Sequence, residues 1–290
     1  MKVSLHSELD NLALALTRGV SMELHMTPKP GLVDLIDNGS HPDLSIEIME
    51  RSIGIVTEYL AEIVRSLKSN DPFACQQQIA IRAEQRLHDE LGTNTHKGYI
   101  FLSGMLLIAH HHAEGSSEEA VRESLSSISE TFFRISNATN TNGDKARRKF
   151  NVGGIVREAI DGYPSLFNEA LPTFRSALRQ HGCVATASFA MMARLMQTVD
   201  DTTTLHRGGE QGLLRVRRDG RMLERIITEE GDFGPFLEEL NHDYKTLNLT
   251  IGGVADMLGI AFGCLLARSD ISPSNITAPG QTSVPMLAML

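Results

Sequence analysis

With 290 residues, 41% hydrophobic and 22% charged, the chain has ample material for a buried core in one large domain or two. A net charge of -9 argues against nucleic acid as a general partner, because binding a phosphate backbone requires a basic footprint; a local cluster of cations still suits a small phosphate ligand. Cys75, Cys183 and Cys264 lie far apart and form no CxxC pair, which fits a reducing cytoplasm, and no His/Cys spacing suggests zinc.

Aromatic residues make up 5% and tryptophan is absent, so Leu, Ile, Ala and Met must fill the core, a palette suited to helix-on-helix packing. The N-terminus lacks the basic start and cleavage site of a signal peptide. The most apolar run, YIFLSGMLLIA from Tyr99 to Ala109, is too short to span a bilayer, so the expectation is a cytoplasmic protein with no membrane partner.

In chain order, Leu9, Leu12, Leu16 and Val20 recur at three- and four-residue spacing and predict a first helix. Ile46, Met49, Ile53, Val56, Leu60, Ile63 and Val64 predict a second, with Pro72 as a breaker after it. Further helices are predicted over about 73–91, 98–113, 117–137, 164–180, 182–198, 219–230, 232–246 and 252–267. Alternating strand patterns are nearly absent and there is no internal repeat. The fold expected is all-α, a single-domain multi-helix bundle over residues 1–267, followed by a Ser/Pro-rich tail over 268–290. The tail ends in the apolar Met286–Leu290, which reads as a poorly ordered terminus or as a segment that docks on the body or on a neighbouring subunit.

Polar residues gather in five segments, read as short loops beside these helices. TPKPGLVDLIDNGSHPD, Thr27 to Asp43, sets Pro28 and Pro30 around Lys29 and follows with Asp34, Asp37, His41 and Asp43; a helix-capping role for Asp43 accounts for that acid alone. GTNTHKGYIF, Gly92 to Phe101, offers Thr93 or Thr95 as an N-cap, and the N–H groups of the helix it starts, with Lys97, as an anion site. Thr141 to Pro164 carries Gly143, Gly153 and Gly154 and the basic run Lys145, Arg147, Arg148 and Lys149, read equally as a solvated charge run or as a phosphate site. DDTTTLHRGGEQG, Asp200 to Gly212, combines Asp201, a residue type that coordinates Mg2+ or acts as a base, with Arg207 before Gly208 and Gly209, where a guanidinium forks onto phosphate as the backbone comes close. LNLTIGGVADML, Leu247 to Leu258, sets Gly252 and Gly253 before a helix bearing Asp256, either a favourable first-turn acid or a catalytic or metal group. The run His110–His112 points in different directions on a helix and reads as C-terminal positions that favour cations.

TPKPGLVD with NGSHPDL, GTNTHKGYIF, the GGIVREAIDGYP region, DDTTTLHRGG and NLTIGGVADML, in this order from Thr27 to Leu258, resemble the triphosphoribosyl-dephospho-CoA synthase family. That family makes the prosthetic-group precursor for the acyl carrier subunits of citrate lyase and malonate decarboxylase. The resemblance implies a transferase using ATP and 3'-dephospho-CoA. The 2'-hydroxyl of the acceptor ribose attacks C1 of the ATP ribose, adenine leaves, and the triphosphate stays on the transferred sugar. Mg2+ as cofactor, a downstream acyl carrier protein system and a homo-oligomer belong to the same expectation. Lys29, His96, Lys97 and Arg207, the last with Gly208 and Gly209, are then expected to hold phosphates, and His41 and Asn94 to orient substrate. Asp34, Asp43 and Asp201 are expected at Mg2+, and Asp34, Glu158, Asp201 and Asp256 are the catalytic candidates, with Glu158 or Asp256 as base or leaving-group acid.

The sequence departs from the family's pattern in places. GARGEA is replaced by Gly154-Ile155-Val156-Arg157-Glu158-Ala159, DTN by Asp201-Thr202-Thr203, and NLSPGGSADLL by a stretch with Ile251 for Pro and Val254 for Ser; Pro42 stands where a Lys is common. Two alternatives follow: a transferase using another phosphorylated ribosyl acceptor, and a nucleotide-binding homologue without turnover.

Overall fold

A computed structural model describes residues 5–93, 95–113, 117–135 and 142–272. Asn94 and Met286–Leu290 lie outside the described residues. Among those described there are twelve α-helices and no strand: α1 (Leu5–His25), α2 (Ile46–Lys68), α3 (Phe73–Leu91), α4 (Lys97–His112), α5 (Glu118–Ile135), α6 (Asn142–Phe150), α7 (Gly154–Ile160), α8 (Leu171–His181, led in by a π-helical segment Ser165–Ala170), α9 (Val184–Thr198), α10 (Thr202–Thr228), α11 (Gly234–Thr246) and α12 (Gly252–Ala267). The all-α expectation holds. No described helix is long and apolar enough to cross a membrane.

The centre is built from α12 and α4, which are apolar nearly all round and bury Met257–Leu265 and Leu102–Ala109 respectively. Helix α1 lies against α12 at backbone contact: a Cβ on Gly19 would sit 2.4 Å from the Gly259 carbonyl oxygen and 2.4 Å from the Gly263 nitrogen. Three buried tyrosines lock the layers, each donating its hydroxyl to a main-chain carbonyl: Tyr99 to Leu16 (2.7 Å), Tyr59 to Ile100 (2.9 Å) and Tyr163 to Leu102 (3.0 Å). In α2 the apolar face Ile55, Val56, Tyr59, Leu60, Ile63 and Val64 is buried at the expected spacing. Its N-cap is Ser45, whose hydroxyl accepts from the Ile48 N–H; Asp43 does not cap it.

Two of the segments read as loops are helical. Thr141–Pro164 contains α6 and α7, and Asp200–Gly212 opens α10, which was expected to begin only near 219. The Asp201 cap starts α10, and Gly208 lets it close on Leu249, whose Cδ2 would lie 2.3 Å from a Cβ there. Gly209, at φ 61° and ψ -162°, breaks the helix internally, a conformation open to glycine. Beyond α12, Arg268 pairs with Glu118 (2.5 Å), Asp270 with Arg175 (2.7 Å), and Ile271 is buried, so the first residues of the expected tail are held on the body.

Candidate functional site

Three helix starts converge. Asp201 caps α10 through Oδ1, which accepts from the Thr203 N–H (2.9 Å), the Thr203 hydroxyl (2.5 Å) and the Thr204 N–H (3.0 Å). Its Oδ2 accepts from the Val254 N–H (3.0 Å) in the first turn of α12, so one buried carboxylate serves two helix N-termini. Thr203 Oγ1 also accepts from the Gly252 N–H (3.1 Å), and Thr204 donates to the Thr250 carbonyl (2.7 Å), closing the joint.

Asp256, just past the first turn of α12 rather than in it as expected, reaches the first turn of α4. A Cβ on Gly98 would lie 2.0 Å from Asp256 Oδ2, so glycine is required for the carboxyl to sit there. Burial pushes the Asp256 pKa well above the carboxylate range; the Asp201 and Glu23 carboxylates push it further, and the Tyr99 N–H opposes them. The residue nonetheless keeps partial exposure. The acceptor for the Tyr99 N–H in the first turn of α4 is thus the protein's own carboxyl.

Beneath this joint lies a buried ion pair. Lys29 is fully buried and donates Nζ to Glu23 Oε1 (2.8 Å), to the Leu24 carbonyl (3.2 Å) and to the Glu23 carbonyl. All three ammonium protons are engaged, two of them capping the C-terminal end of α1. Glu23 is itself 4% exposed, and burial raises its pKa against the pull of Lys29. His96, the residue before α4, is also buried. Its Nδ1 lies 2.5 Å from the Ser52 hydroxyl, which also meets the Thr95 hydroxyl, while Nε2 has no hydrogen-bond partner among the described residues. Burial and then the Lys29 charge lower the His96 pKa to about 4, so the ring is neutral.

The loop 27–43 is organised by Asp34, whose Oδ2 accepts from the Lys29 N–H (2.8 Å) and whose Oδ1 accepts from the N–H groups of Ile36 (2.8 Å) and Asp37 (3.3 Å). Leu35 and Ile36 stand exposed beside it. The far end of the loop is tied to α10: Arg207 donates to the Ser40 carbonyl (2.6 Å), to Asn248 Oδ1 (3.1 Å) and to His41 Nδ1 (3.2 Å). Accepting at Nδ1 puts the His41 proton on Nε2, which donates to the Thr250 hydroxyl (2.8 Å); burial and then Arg207 lower the His41 pKa to about 4. No carboxylate lies within ion-pair distance of Arg207 among the described residues, and two of its five N–H groups stay available.

On the other side of Asp200–Asp201 stands Glu158 of α7, its oxygens accepting from the Ser165 N–H (2.8 Å) and hydroxyl (2.9 Å). Burial raises its pKa to about 6, with Asp161 and Asp200 adding to the shift. A Cβ on Gly154, which opens α7, would meet Thr202 Cγ2 at 2.8 Å, so α7 abuts the start of α10.

The fold therefore gathers Lys29, His96, Asp201 and Asp256 around one joint, with Glu158 and the Arg207–His41 pair at its flanks. Lys97 is not drawn in: it is exposed, and its Nζ pairs with Glu84 (2.5 Å) on the outer surface. Glu23, Ser52, Thr203 and Thr250 complete the polar network and were not among the expected residues. Glu23 had a signal, a lone acid among Val20, Met22, Leu24 and Met26.

The sequence profile of the CitG family, ATP:dephospho-CoA triphosphoribosyl transferase, matches residues 9–272. The chain belongs to that family. It is 28% identical over 276 residues to a probable 2-(5''-triphosphoribosyl)-3'-dephosphocoenzyme-A synthase of Streptococcus equi subsp. zooepidemicus, covering 86% of this chain and 94% of the relative. A synthase of the same description from Citrobacter koseri is 28% identical over 267 residues, covering 86% and 88%. No solved structure matches the chain.

A family whose reaction handles a triphosphate calls for a test of the Mg2+ expectation. Asp34 and Asp201 have both oxygens committed to N–H and O–H donors, and among the described residues no three His, Cys, Asp or Glu side chains are close enough to hold a metal ion. Asp43 is exposed and open. Among the described residues the donor set does not fit a cage made by the protein.

Proposed function

We infer that the protein transfers the 5-triphosphoribosyl group of ATP to the 2'-hydroxyl of 3'-dephospho-CoA with release of adenine. The observation that carries the mechanism is a pair of carboxyls flanking Asp200–Asp201 whose surroundings drive them apart. Asp256 faces Asp201 and Glu23 and is kept protonated, whereas Glu158 titrates near neutrality. In this reading Asp256 gives its proton to a ring nitrogen of adenine as the bond from N9 to the ribose C1 breaks. Glu158 takes the proton of the attacking hydroxyl as the new carbon–oxygen bond forms. One proton is released and one consumed, and exchange with water returns both carboxyls to their starting states. The Asp201 carboxyl lies beside Asp256 and in this reading favours positive charge developing on the sugar. Arg207, with no carboxylate at ion-pair distance among the described residues, is the phosphate contact on the α10 side. Asp43, the exposed carboxylate, would meet Mg2+ carried on the triphosphate, and the ion would supply charge neutralisation there.

Adenine release from ATP, measured with and without 3'-dephospho-CoA, tests the reading. Release that depends on the acceptor is expected. Binding of ATP with no adenine formed under either condition overturns it, and release only with a different phosphorylated ribosyl acceptor reassigns the substrate.

A further inference from the structure

The basic run of α6 has no part in the reading above. Helix α6 is joined to α10 by a small apolar cluster of its own, Ala146 with Leu205 and Leu213, flanked by Phe150 and Val152. Lys145, Arg148 and Lys149 fall at i, i+3 and i+4 beside that seam, and all three are exposed to solvent. None has a carboxylate within ion-pair distance among the described residues, whereas Lys68, Arg82, Arg86, Lys97, Arg225 and Lys245 are each paired on the surface. No other described helix carries three such unpaired cations. A favourable interaction with the helix dipole covers Arg148 and Lys149 in the last turn but not Lys145. Like charges at this spacing repel, so a polyanion laid across them relieves that repulsion.

The position of α6 says what that polyanion is. Lys149 Nζ stands 4.8 Å over the Phe150 ring, and that ring borders Gly209, where a Cβ would lie 3.9 Å from Phe150 Cζ. Gly209 is the break in α10 two residues after Arg207. At the same end of the helix, the stem of Arg147 packs over Gly154, 3.2 Å from a Cβ placed there, and the same Cβ would meet Thr202. The basic face thus borders the segment running from Asp201 to Arg207, in a chain of net charge -9.

We propose that Lys145, Arg148 and Lys149 form a polyphosphate-binding surface at the edge of the site, taking either the triphosphate of the donor or the diphosphate of the acceptor. The natural ligand's identity rests on the transferase reading; the surface itself does not.

The test is calorimetric titration of the full chain with sodium tripolyphosphate, comparing wild type with the Lys145→Ala/Arg148→Ala/Lys149→Ala variant. A second variant, Arg65→Ala/Arg134→Ala/Arg179→Ala, removes the same charge from exposed, unpaired positions elsewhere. Wild type is expected to bind, more weakly as salt rises, with Kd raised about tenfold or more in the α6 variant and unchanged in the second. No binding by wild type, equal binding by the α6 variant, or an equal loss in both variants overturns the proposal. In the adenine-release assay, a KM rise confined to ATP assigns the surface to the triphosphate, and one confined to 3'-dephospho-CoA assigns it to the acceptor. If wild type releases no adenine, the transferase reading fails while the titration still decides whether the surface exists.

Discussion

Replacing Asp256 with asparagine separates the carboxyl's charge from its shape. The side chain is packed against Gly98 and faces Asp201 and Glu23; the nearby cation, Lys29, is already spent on Glu23 and two carbonyls. The folded-state pKa lies well above the ordinary 3.8, so the native protein holds a proton that the unfolded chain releases. Stability falls with rising pH wherever the unfolded state binds fewer protons. The contribution of Asp256 is therefore fully present below its unfolded pKa and is lost as pH rises toward the folded one. Asparagine keeps the volume and an acceptor for the Tyr99 N–H but cannot ionise. Relative to wild type, Asp256→Asn should gain up to about 1.4 kcal/mol per pH unit over the range in which Asp256 stays protonated. It should also lose adenine release by roughly a hundredfold or more, the usual share of a general acid. Urea unfolding of both proteins between about pH 5 and pH 8 reads the first effect, and initial rates read the second. A stability difference that stays flat with pH refutes the protonated-carboxyl argument, and a variant that turns over normally refutes the role.

Gly98→Ala should abolish turnover and destabilise by about 1–3 kcal/mol, although alanine is the better helix former by about 1 kcal/mol, and adding Asp256→Ala should recover the stability without the activity; thermal unfolding of the single and double variants checks this. Lys29→Met leaves Glu23 buried without its partner and should cost about 3–5 kcal/mol, with Glu23→Gln in the same chain restoring part of it, as measured by denaturant unfolding. A Lys29→Met protein of wild-type stability would remove the ion pair from the account of the joint. For Glu158, the profile of kcat/KM against pH should have a rising limb near 6 as the carboxyl ionises, and Glu158→Gln should lose that limb together with most of the rate. A limb unchanged in the variant belongs to another group.

The helices with strong periodicity, α1 to α5 and α8 to α12, were legible because their buried faces recur at helical spacing. The helical start of α10 was not, since three threonines and the Arg207-Gly208-Gly209 triplet suggest a loop. What makes it helical is tertiary: Asp201 as cap, and Leu249 filling the space over Gly208. Helix α6 was hidden for a related reason, because among its described side chains Ala146 alone is buried and the helix rests on a partner remote in sequence. At the site, residue type announced Asp201 and Asp256, but the direction of a charged group was not readable. Lys29 and Lys97 looked alike as phosphate ligands between prolines or before a helix; one turns inward to Glu23 and the other outward to Glu84.

The departures from the family pattern carry a different weight once their surroundings are known. Ile251 and Val254 replace a Pro and a Ser, and both side chains are buried in the core. The polar contact made at 254 comes from the main chain, whose N–H reaches Asp201 whatever side chain stands there. Thr203, where an Asn amide is usual, donates its hydroxyl to Asp201 and accepts the Gly252 N–H. It thereby supplies the α12 start with the acceptor that its missing proline would have made unnecessary at a neighbouring position. Arg157 points outward and pairs with Asp161 (2.5 Å), away from Glu158. Ile251, Val254 and Thr203 thus re-knit the joint between α10 and α12, whereas Pro42 and Val156 stand where the family pattern carries cations. What favours 3'-dephospho-CoA over another phosphorylated ribosyl compound is therefore membership of the family, whose reaction uses it, and not the pattern of these substitutions.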